Sequence, residues 1–415
     1  MQTGIVDADV VVIGAGALGL STALHASLLG RSVVVVERDQ AGSQASGRAA
    51  GLFKSVQADA LRTELARQSI ERAIRFADWA GVQLDVVRSG SFLVARTGEH
   101  KAYLEAEARQ SRSFGADVRE ADDTDLAGRL SYYRGRGAQF ALWCPEDIYI
   151  EEPASLVRAY VAACRLRGVE LLEAEAVTGI TLAAGRVAGV QTANRTITTA
   201  VAVDAAGAWS RQLAELTGGA VAVAPVRHQL LITAPTAEVD PAAPISRVVD
   251  AAVYLRPARG GLMVGGFEAA PLPVDPRAEP ASFGTDDVPL DLEVLRKLAG
   301  QVAAEVPLAA TAPVAEHRGG LFTMSPDGRF VVGPLPDVPG LWVASGCNGS
   351  GFSSSLAIGE ALARWICASA NRLNIDHLSP ARFGPMTEER LIADGIWQYA
   401  HYYDPALPSG HSATS

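Results

Sequence analysis

The sequence predicts an α/β protein with α+β character. One parallel sheet is assembled from separated stretches of chain, and a second, mainly antiparallel β-sheet is built from the stretches between them. Three observations carry this expectation. A strand–turn–helix–strand unit opens the chain at residues 8–37, and a second strand, glycine-rich turn and helix recur more than three hundred residues later, from residue 341. Between them, residues 222–270 are dominated by strands broken by Gly and Pro.

The bulk numbers fit two domains or one large composite domain: 415 residues, 48% hydrophobic and 20% charged. A formal charge of -10, with lysine only at 54, 101 and 297, argues against nucleic acid as a main partner. The four cysteines (144, 164, 347, 367) have neither CxxC nor metal-ligand spacing, which predicts reduced thiols and no metal. Neither a signal-peptide pattern nor an apolar run of membrane-spanning length is present. A cytoplasmic protein that does not span the membrane is expected.

The first element is a continuous apolar strand at 8–13, of the kind buried on both faces. Gly14-Ala15-Gly16-Ala17-Leu18-Gly19 follows it, then a helix over 20–29, a stop at Gly30, and a second strand over 32–36 ending in Glu37. This is a Rossmann-type GxGxxG unit in which every glycine has its own physical role. Gly14 allows the tight turn, Gly16 the close approach of a pyrophosphate, and Gly19 the packing of helix on strand. The helix N-terminus offers free N–H groups to the phosphates, and Glu37 can accept ribose hydroxyls.

Further along, 59–80 reads as helix, 84–87 and 90–95 as paired strands, and 99–115 and 153–167 as helices. Residues 169–172, 176–182, 187–192 and 196–199 read as one antiparallel meander. Residues 201–205 return to a buried strand. Strands are expected at 226–233, 253–256 and 262–267, a helix at 291–304, and a tail after 380 that carries Tyr399, Tyr402 and Tyr403 before fraying. Two strands and a helix cannot cover a parallel sheet, so 201–205 and 341–344 are expected to rejoin the first unit.

The segments DVVVIGAGALGLSTA with Glu37, SGRAAGLF, VDAAGAWS, PDGRFVVGP and GLWVASGCNGSGF occur in this order along nearly the whole chain. In them the sequence resembles the FAD-dependent amine and amino-acid oxidoreductases of the D-amino-acid oxidase type. PVRHQLLIT and YLRP give it the flavour of dimethylglycine dehydrogenases and oxidases and of sarcosine oxidase β-subunits. The resemblance implies a discontinuous Rossmann-type FAD-binding domain (1–80, 150–222 and 323–380), a substrate domain (81–149 and 223–322) and a tail (381–415).

For the cofactor, the resemblance implies contacts from Gly14, Gly16, Ala17, Leu18 and Gly19, with Glu37 and Arg38 beyond them. The next loop would add Ser46, Gly47, Arg48, Ala49, Gly51 and Leu52. Val177, Ala206, Gly207 and Trp209 complete the adenosine side. The late junction would contribute Gly346, Asn348, Gly349, Ser350, Gly351 and Phe352, with its helix N-terminus turned to the flavin. Relatives attach flavin through a His where this chain has Arg48, or a Cys near Gly320, so FAD is expected to be noncovalent and Cys347 a bystander.

The implied reaction is oxidation of a C–N bond. His228, Tyr254, Arg256 and Ser350 are the candidate catalytic residues. His228 near its ordinary pKa could deprotonate an ammonium substrate, or it and Tyr254 could simply be satisfied polar groups in the sheet. Arg256 could pair with a substrate carboxylate or with a structural acid. Arg48 could offset flavin charge, and Lys54 reads as a surface residue. Three departures matter: Phe322 replaces a carboxylate-binding Arg, Met263 a Lys thought to promote reaction with oxygen, and Ser350 a His. The expected partners are a small amine or amino acid and either O2 or a protein electron acceptor, with the chain possible as one subunit of a larger oxidoreductase. A NAD-dependent dehydrogenase and a flavin-binding assembly subunit without turnover stay open as rivals.

Overall fold

Val10–Ile13 and Val33–Val36 are four-residue runs of buried side chains, all β-branched. Their alternate residues serve two different cores. Val10, Val12, Val33 and Val35 pack against helices, whereas Val11, Ile13, Val34 and Val36 pack against Ile180, Val187, Val190 and Ile197. Such strands must lie in the middle of a sheet covered on both faces. The computed structural model, which describes residues 4–135, 137–369 and 373–404, places them there.

That sheet has six strands, in the order Val331–Pro334, Leu341–Ser345, Ala202–Asp204, Val10–Ile13, Val33–Val36, Glu170–Leu172. All neighbours are parallel except the first pair. The segments 201–205 and 341–344 therefore do rejoin the N-terminal unit. Helices Ala17–Leu28, Pro153–Leu166 and Gly351–Ile366 cover one face. A four-stranded sheet covers the other, formed by Val177–Ala183, Arg186–Thr192, Arg195–Thr198 and the N-terminal strand Gly4–Asp7.

The second large sheet has eight strands: Val314–Met324, Ala224–Thr233, Gly261–Gly266, Val253–Ala258, Ile245–Val248, Ser91–Ala95, Phe140–Cys144 and Arg119–Ala121. It is antiparallel apart from the pairing of Ile245–Val248 with Ser91–Ala95. The fold is thus the predicted combination of a parallel α/β sheet gathered from distant segments and a mainly antiparallel sheet.

Two local expectations are corrected, and two elements appear that the sequence pattern does not mark. Residues 84–87 do not form a hairpin with 90–95; Val87 makes only a bridge to Tyr149, and Ser91–Ala95 pairs with Phe140–Cys144 instead. Residues 169–172 leave the meander and become the edge of the parallel sheet, because a strand there completes Val33–Val36. The strand Ile245–Val248 interrupts its apolar run with Ser246 and Arg247 and was not foreseen. In the tail, Glu388–Ala400 is a helix that the sequence pattern does not mark, with Thr387 accepting from the Arg390 N–H as its N-cap. Residues beyond 404 lie outside the described residues. No helix among the described residues is long and apolar enough to cross a membrane.

Candidate active site: a nucleotide cleft opening onto an aromatic pocket

A cavity of about 430 Å³ runs from the first glycine turn to the face of the eight-stranded sheet. At its start Gly14 holds φ at +106°, and a Cβ there would lie 2.5 Å from the Ala205 carbonyl oxygen. Glycine is required for the turn and for the approach of the neighbouring strand. Beyond it, Gly16 precedes helix Ala17–Leu28, whose first turn carries no acidic residue. Ser46 accepts from the Ala17 N–H at 3.0 Å, which leaves the following amides for an anion.

Glu37 ends the second strand with both oxygens anchored: Oε2 accepts from the Ala15 N–H at 2.7 Å and Oε1 from the Asp39 N–H at 2.9 Å. Burial raises its pKa, and each oxygen keeps a lone pair for a ribose hydroxyl. Arg38 lies over the Trp209 ring at 4.4 Å from its centroid, a stacked lid at the same end. Asp204, behind this wall, is fully buried. Its Oδ1 accepts from Ala206 N–H and Ser210 Oγ, both at 3.0 Å, but Oδ2 has no partner, and burial pushes its pKa up to about 7.

The late junction reaches the same cavity. Helix Gly351–Ile366 starts at Ser350 without a side-chain cap and without an acid in its first turn. It packs tightly on helix Ala17–Leu28, since a Cβ on Gly359 would meet Ser21 Oγ at 2.2 Å. Two helix N-termini therefore open side by side onto one cleft, an arrangement suited to a ligand with negative charge at two places.

At the far end the cavity meets one face of the eight-stranded sheet. Register aligns Arg247 with Tyr254, Tyr254 with Gly265, Gly265 with Leu230 and Leu230 with Arg318, so these five residues form a row across five strands. His228 stands beside the row, stacked on Phe322 at 4.1 Å between ring centroids. Its Nε2 lies 2.8 Å from the Tyr254 hydroxyl and its Nδ1 2.7 Å from that of Tyr399. Burial pushes its pKa down to about 3, so the imidazole is neutral at pH 7. Phe267, stacked with Tyr402 at 4.0 Å, and Tyr403 close the pocket.

Most sequence-predicted cofactor residues line this cavity: Gly14, Gly16, Ala17, Leu18, Glu37 and Arg38 at one end, Ser46, Arg48, Ala49, Gly51 and Leu52 along one wall. Val177, Ala206, Gly207 and Trp209 line another wall, and Gly349, Ser350, Gly351 and Phe352 a third. Four do not line it. Gly19 and Gly47 serve backbone packing, with a Cβ 2.0 Å from the Gly14 oxygen or 2.5 Å from the Gly42 oxygen. Gly346 at φ +59° backs onto Val331, and Asn348 turns its amide to Ser325 and the Gly346 carbonyl. These two shape the turn rather than touch the cleft.

Two catalytic expectations are corrected. Burial holds the His228 imidazole well below its ordinary pKa, and both of its nitrogens are engaged, by Tyr254 and Tyr399, so neither is free to take a proton from a substrate ammonium. Arg256 does not face the cavity: it is fully buried and donates to the carbonyls of Ala50 (2.8 Å), Pro257 (2.6 Å) and Glu151 (2.9 Å). It therefore clamps the 50–51 loop onto the sheet. Lys54 is not a surface residue but lines the cavity, with Nζ 5.8 Å from the Tyr403 ring centroid. Arg48 is partly occupied by Asp286 at 2.6 Å.

Sequence reasoning missed Arg247, Arg318 and the tail tyrosines as site residues. Arg318 lines the cavity, and its Nε is buried without a partner. Its signal was a charge three residues before the Leu321-Phe322 pair, on a strand that the sequence pattern does not mark. A second cavity of about 660 Å³ shares Lys54, Gln57, Cys347, Ser350 and Tyr402 with the first and adjoins its aromatic end.

Comparison with known proteins agrees with this geometry. The chain is 28% identical over 380 residues to 4-methylaminobutanoate oxidase (formaldehyde-forming) of Paenarthrobacter nicotinovorans, covering 90% of this chain and 45% of that one. It is 27% identical over 372 residues to the mitochondrial sarcosine dehydrogenase of Homo sapiens, covering 86% and 39%. It thus spans less than half the length of these curated relatives. The solved structure of L-proline dehydrogenase from P. horikoshii shares the fold, with a TM-score of 0.82 at 20% identity over 92% of this chain and 98% of that one. Residues 9–365 match the family described as FAD dependent oxidoreductase, from the first buried strand through the late helix. A cleft with two open helix N-termini, a buried acid at the end of its second strand and glycines that no Cβ could replace fits that cofactor, and the chain belongs to the DAO family of FAD-dependent oxidoreductases.

Proposed function

We propose that this protein oxidises a C–N bond of an N-alkyl amino acid, or of a closely related amine, with FAD held noncovalently. One observation carries the reading: the cofactor cleft and the pocket of His228, Tyr254, Phe267, Phe322 and Tyr402 are a single cavity. The relatives named for sarcosine and 4-methylaminobutanoate support the N-alkyl amino acid class. Residues 14–18 and Glu37 would hold the adenosine and pyrophosphate, and the start of helix Gly351–Ile366 would hold the flavin ring. When bound, FAD supplies the acceptor for the two electrons and the hydrogen that leave the carbon next to nitrogen.

The protein's own contribution is placement and exclusion of water. An apolar, aromatic surrounding desolvates the nitrogen and so favours the neutral amine close to the reacting atoms. Neutral His228 fixes the Tyr254 hydroxyl by a 2.8 Å hydrogen bond. Water then hydrolyses the substrate-derived imine to a carbonyl compound and the dealkylated amine. Substrate would enter through the second cavity, past Lys54, Ser350 and Tyr402. We infer that the six-stranded sheet and its helices bind FAD and that the eight-stranded sheet faces the substrate, with the last helix as an extra wall. Met263, buried where oxidase-type relatives carry Lys, supports transfer of electrons to an acceptor other than O2. Four free thiols support a reducing, cytoplasmic location.

The test is direct. The purified protein should be yellow, should release its flavin on acid precipitation, and should bleach anaerobically with N-methyl amino acids. A colourless protein that gains no flavin absorbance with added FAD would end the reading. Colour kept in the acid pellet would refute the noncovalent linkage, and bleached enzyme that recolours in air within one mixing time would refute the preference for another acceptor.

A further inference from the structure

Arg247 carries a buried charge that the protein matches only in part. Its side chain is 3% exposed, and Nη1 donates to Ser91 Oγ at 3.0 Å and to Asp147 at 3.3 Å. Asp147 is already well served: it accepts from the Ser55 N–H at 2.7 Å and from the hydroxyls of Ser55 and Ser91. Among the described residues, Nε and Nη2 of Arg247 have no hydrogen-bond partner, yet neither is sealed in protein, and the side chain lines the cavity. A buried guanidinium with two unused donors calls for an anion to complete it.

Tyr254 sits directly opposite Arg247, in space that Gly265 leaves open; a Cβ on Gly265 would lie 2.2 Å from its hydroxyl. The direction of its hydrogen bond follows from the chain behind it. A neutral imidazole donates from one nitrogen and accepts at the other. Among the described residues the buried Tyr399 hydroxyl has His228 Nδ1, at 2.7 Å, as its one hydrogen-bond partner, whereas Tyr254 lines the cavity. A buried phenol proton needs an acceptor, so Tyr399 donates to Nδ1. His228 then donates from Nε2 to the Tyr254 oxygen, and the Tyr254 proton points into the cavity beside Arg247.

We propose that Arg247 and the Tyr254 hydroxyl are the donors that take a substrate carboxylate, and that Tyr399, acting through His228, is the positioning residue that keeps Tyr254 a donor. This deepens the amine-oxidation reading, on which it rests, and narrows the substrate to molecules carrying amine and carboxylate together. It also places the carboxylate subsite on a strand remote from Phe322.

The holoenzyme is titrated with acetate and propionate and with their amides, followed by flavin absorbance and calorimetry, so that no turnover is needed. Arg247→Gln should weaken carboxylate binding about thirtyfold and change amide binding by no more than about twofold. Equal losses for both, or no loss, would overturn the assignment. If Arg247→Gln does not hold FAD, Arg247→Lys decides, because it keeps the charge that Asp147 faces. It should lose about tenfold on carboxylates alone, and an unchanged affinity would overturn the proposal. For Tyr399→Phe, nitrogen NMR of 15N-histidine-labelled protein should show His228 leaving its Nε2–H tautomer, with carboxylate binding about fivefold weaker. Either readout unchanged would remove the role of Tyr399. Carboxylates that bind in this pattern to an enzyme no amine can bleach would leave the subsite standing and remove the oxidation reading.

Discussion

Asp204 turns the nucleotide wall into a pH-dependent element. Its folded pKa of about 7 stands above the 3.8 of an ordinary Asp, so between those values the folded chain holds a proton the unfolded chain has lost. Stability from this group is full below pH 4 and falls as pH rises to 7, by up to about 4 kcal/mol. Asp204→Asn should flatten that slope. In urea melts the variant should gain on the wild type at pH 8 relative to pH 5, and parallel curves at both pH values would contradict the assignment. At this scale the glycine turn and Glu37 were legible, because GxGxxG followed by a terminal acid announces a specific physical role. His228 and Tyr254 were legible as a pair on two predicted strands, whereas the hydrogen bonds that engage both nitrogens of His228 were not. Arg247 was not, because a charge inside Ile245-Ser246-Arg247-Val248 spoils the apolar pattern by which a strand is recognised. Arg256 misled for the converse reason: its partners are three backbone carbonyls, which no sequence displays.

Among elements, the two long helices that start at the cavity depend on close contact. Gly359 lets them approach, and a Cβ there would meet Ser21 side-chain and backbone atoms at 2.2–2.7 Å. Gly359→Ala should therefore cost about 1–3 kcal/mol despite the better helix propensity of Ala. The splayed N-termini should also weaken FAD binding, as measured by flavin fluorescence on dilution. A more stable variant with unchanged FAD affinity would show that the helices need not touch. The strand–turn–helix junctions were legible because both buried strands and glycine turns leave strong local patterns. The 84–95 hairpin was misread because short apolar runs do not say which distant strand they pair with. Residues 169–172 failed in the same way, since their neighbours in sequence were a real meander.

For the whole molecule, the helix Glu388–Ala400 and residues 401–403 after it wall the aromatic pocket. Tyr399 bonds His228, Tyr402 stacks on Phe267, and Gly395 sits where a Cβ would press on Ala224 at 2.8 Å. A chain ending at residue 386 should keep its yellow colour, because none of the cofactor wall is removed. It should lose at least about a hundredfold in the rate of bleaching by amines. Loss of flavin with the tail, or full bleaching without it, would show that the two ends of the cavity are not divided in this way. The interleaved sheet has one more consequence, for a chain emerging from the ribosome. Val10–Ile13 is made first, yet the strand Ala202–Asp204 beside it and Leu341–Ser345 beyond that appear only much later. At roughly 5–20 residues per second, an unpaired apolar edge is held open for tens of seconds during synthesis. The nascent protein is then an aggregation-prone strand in search of its neighbours, and its yield in a cell should rise with the supply of chaperones that shield such edges.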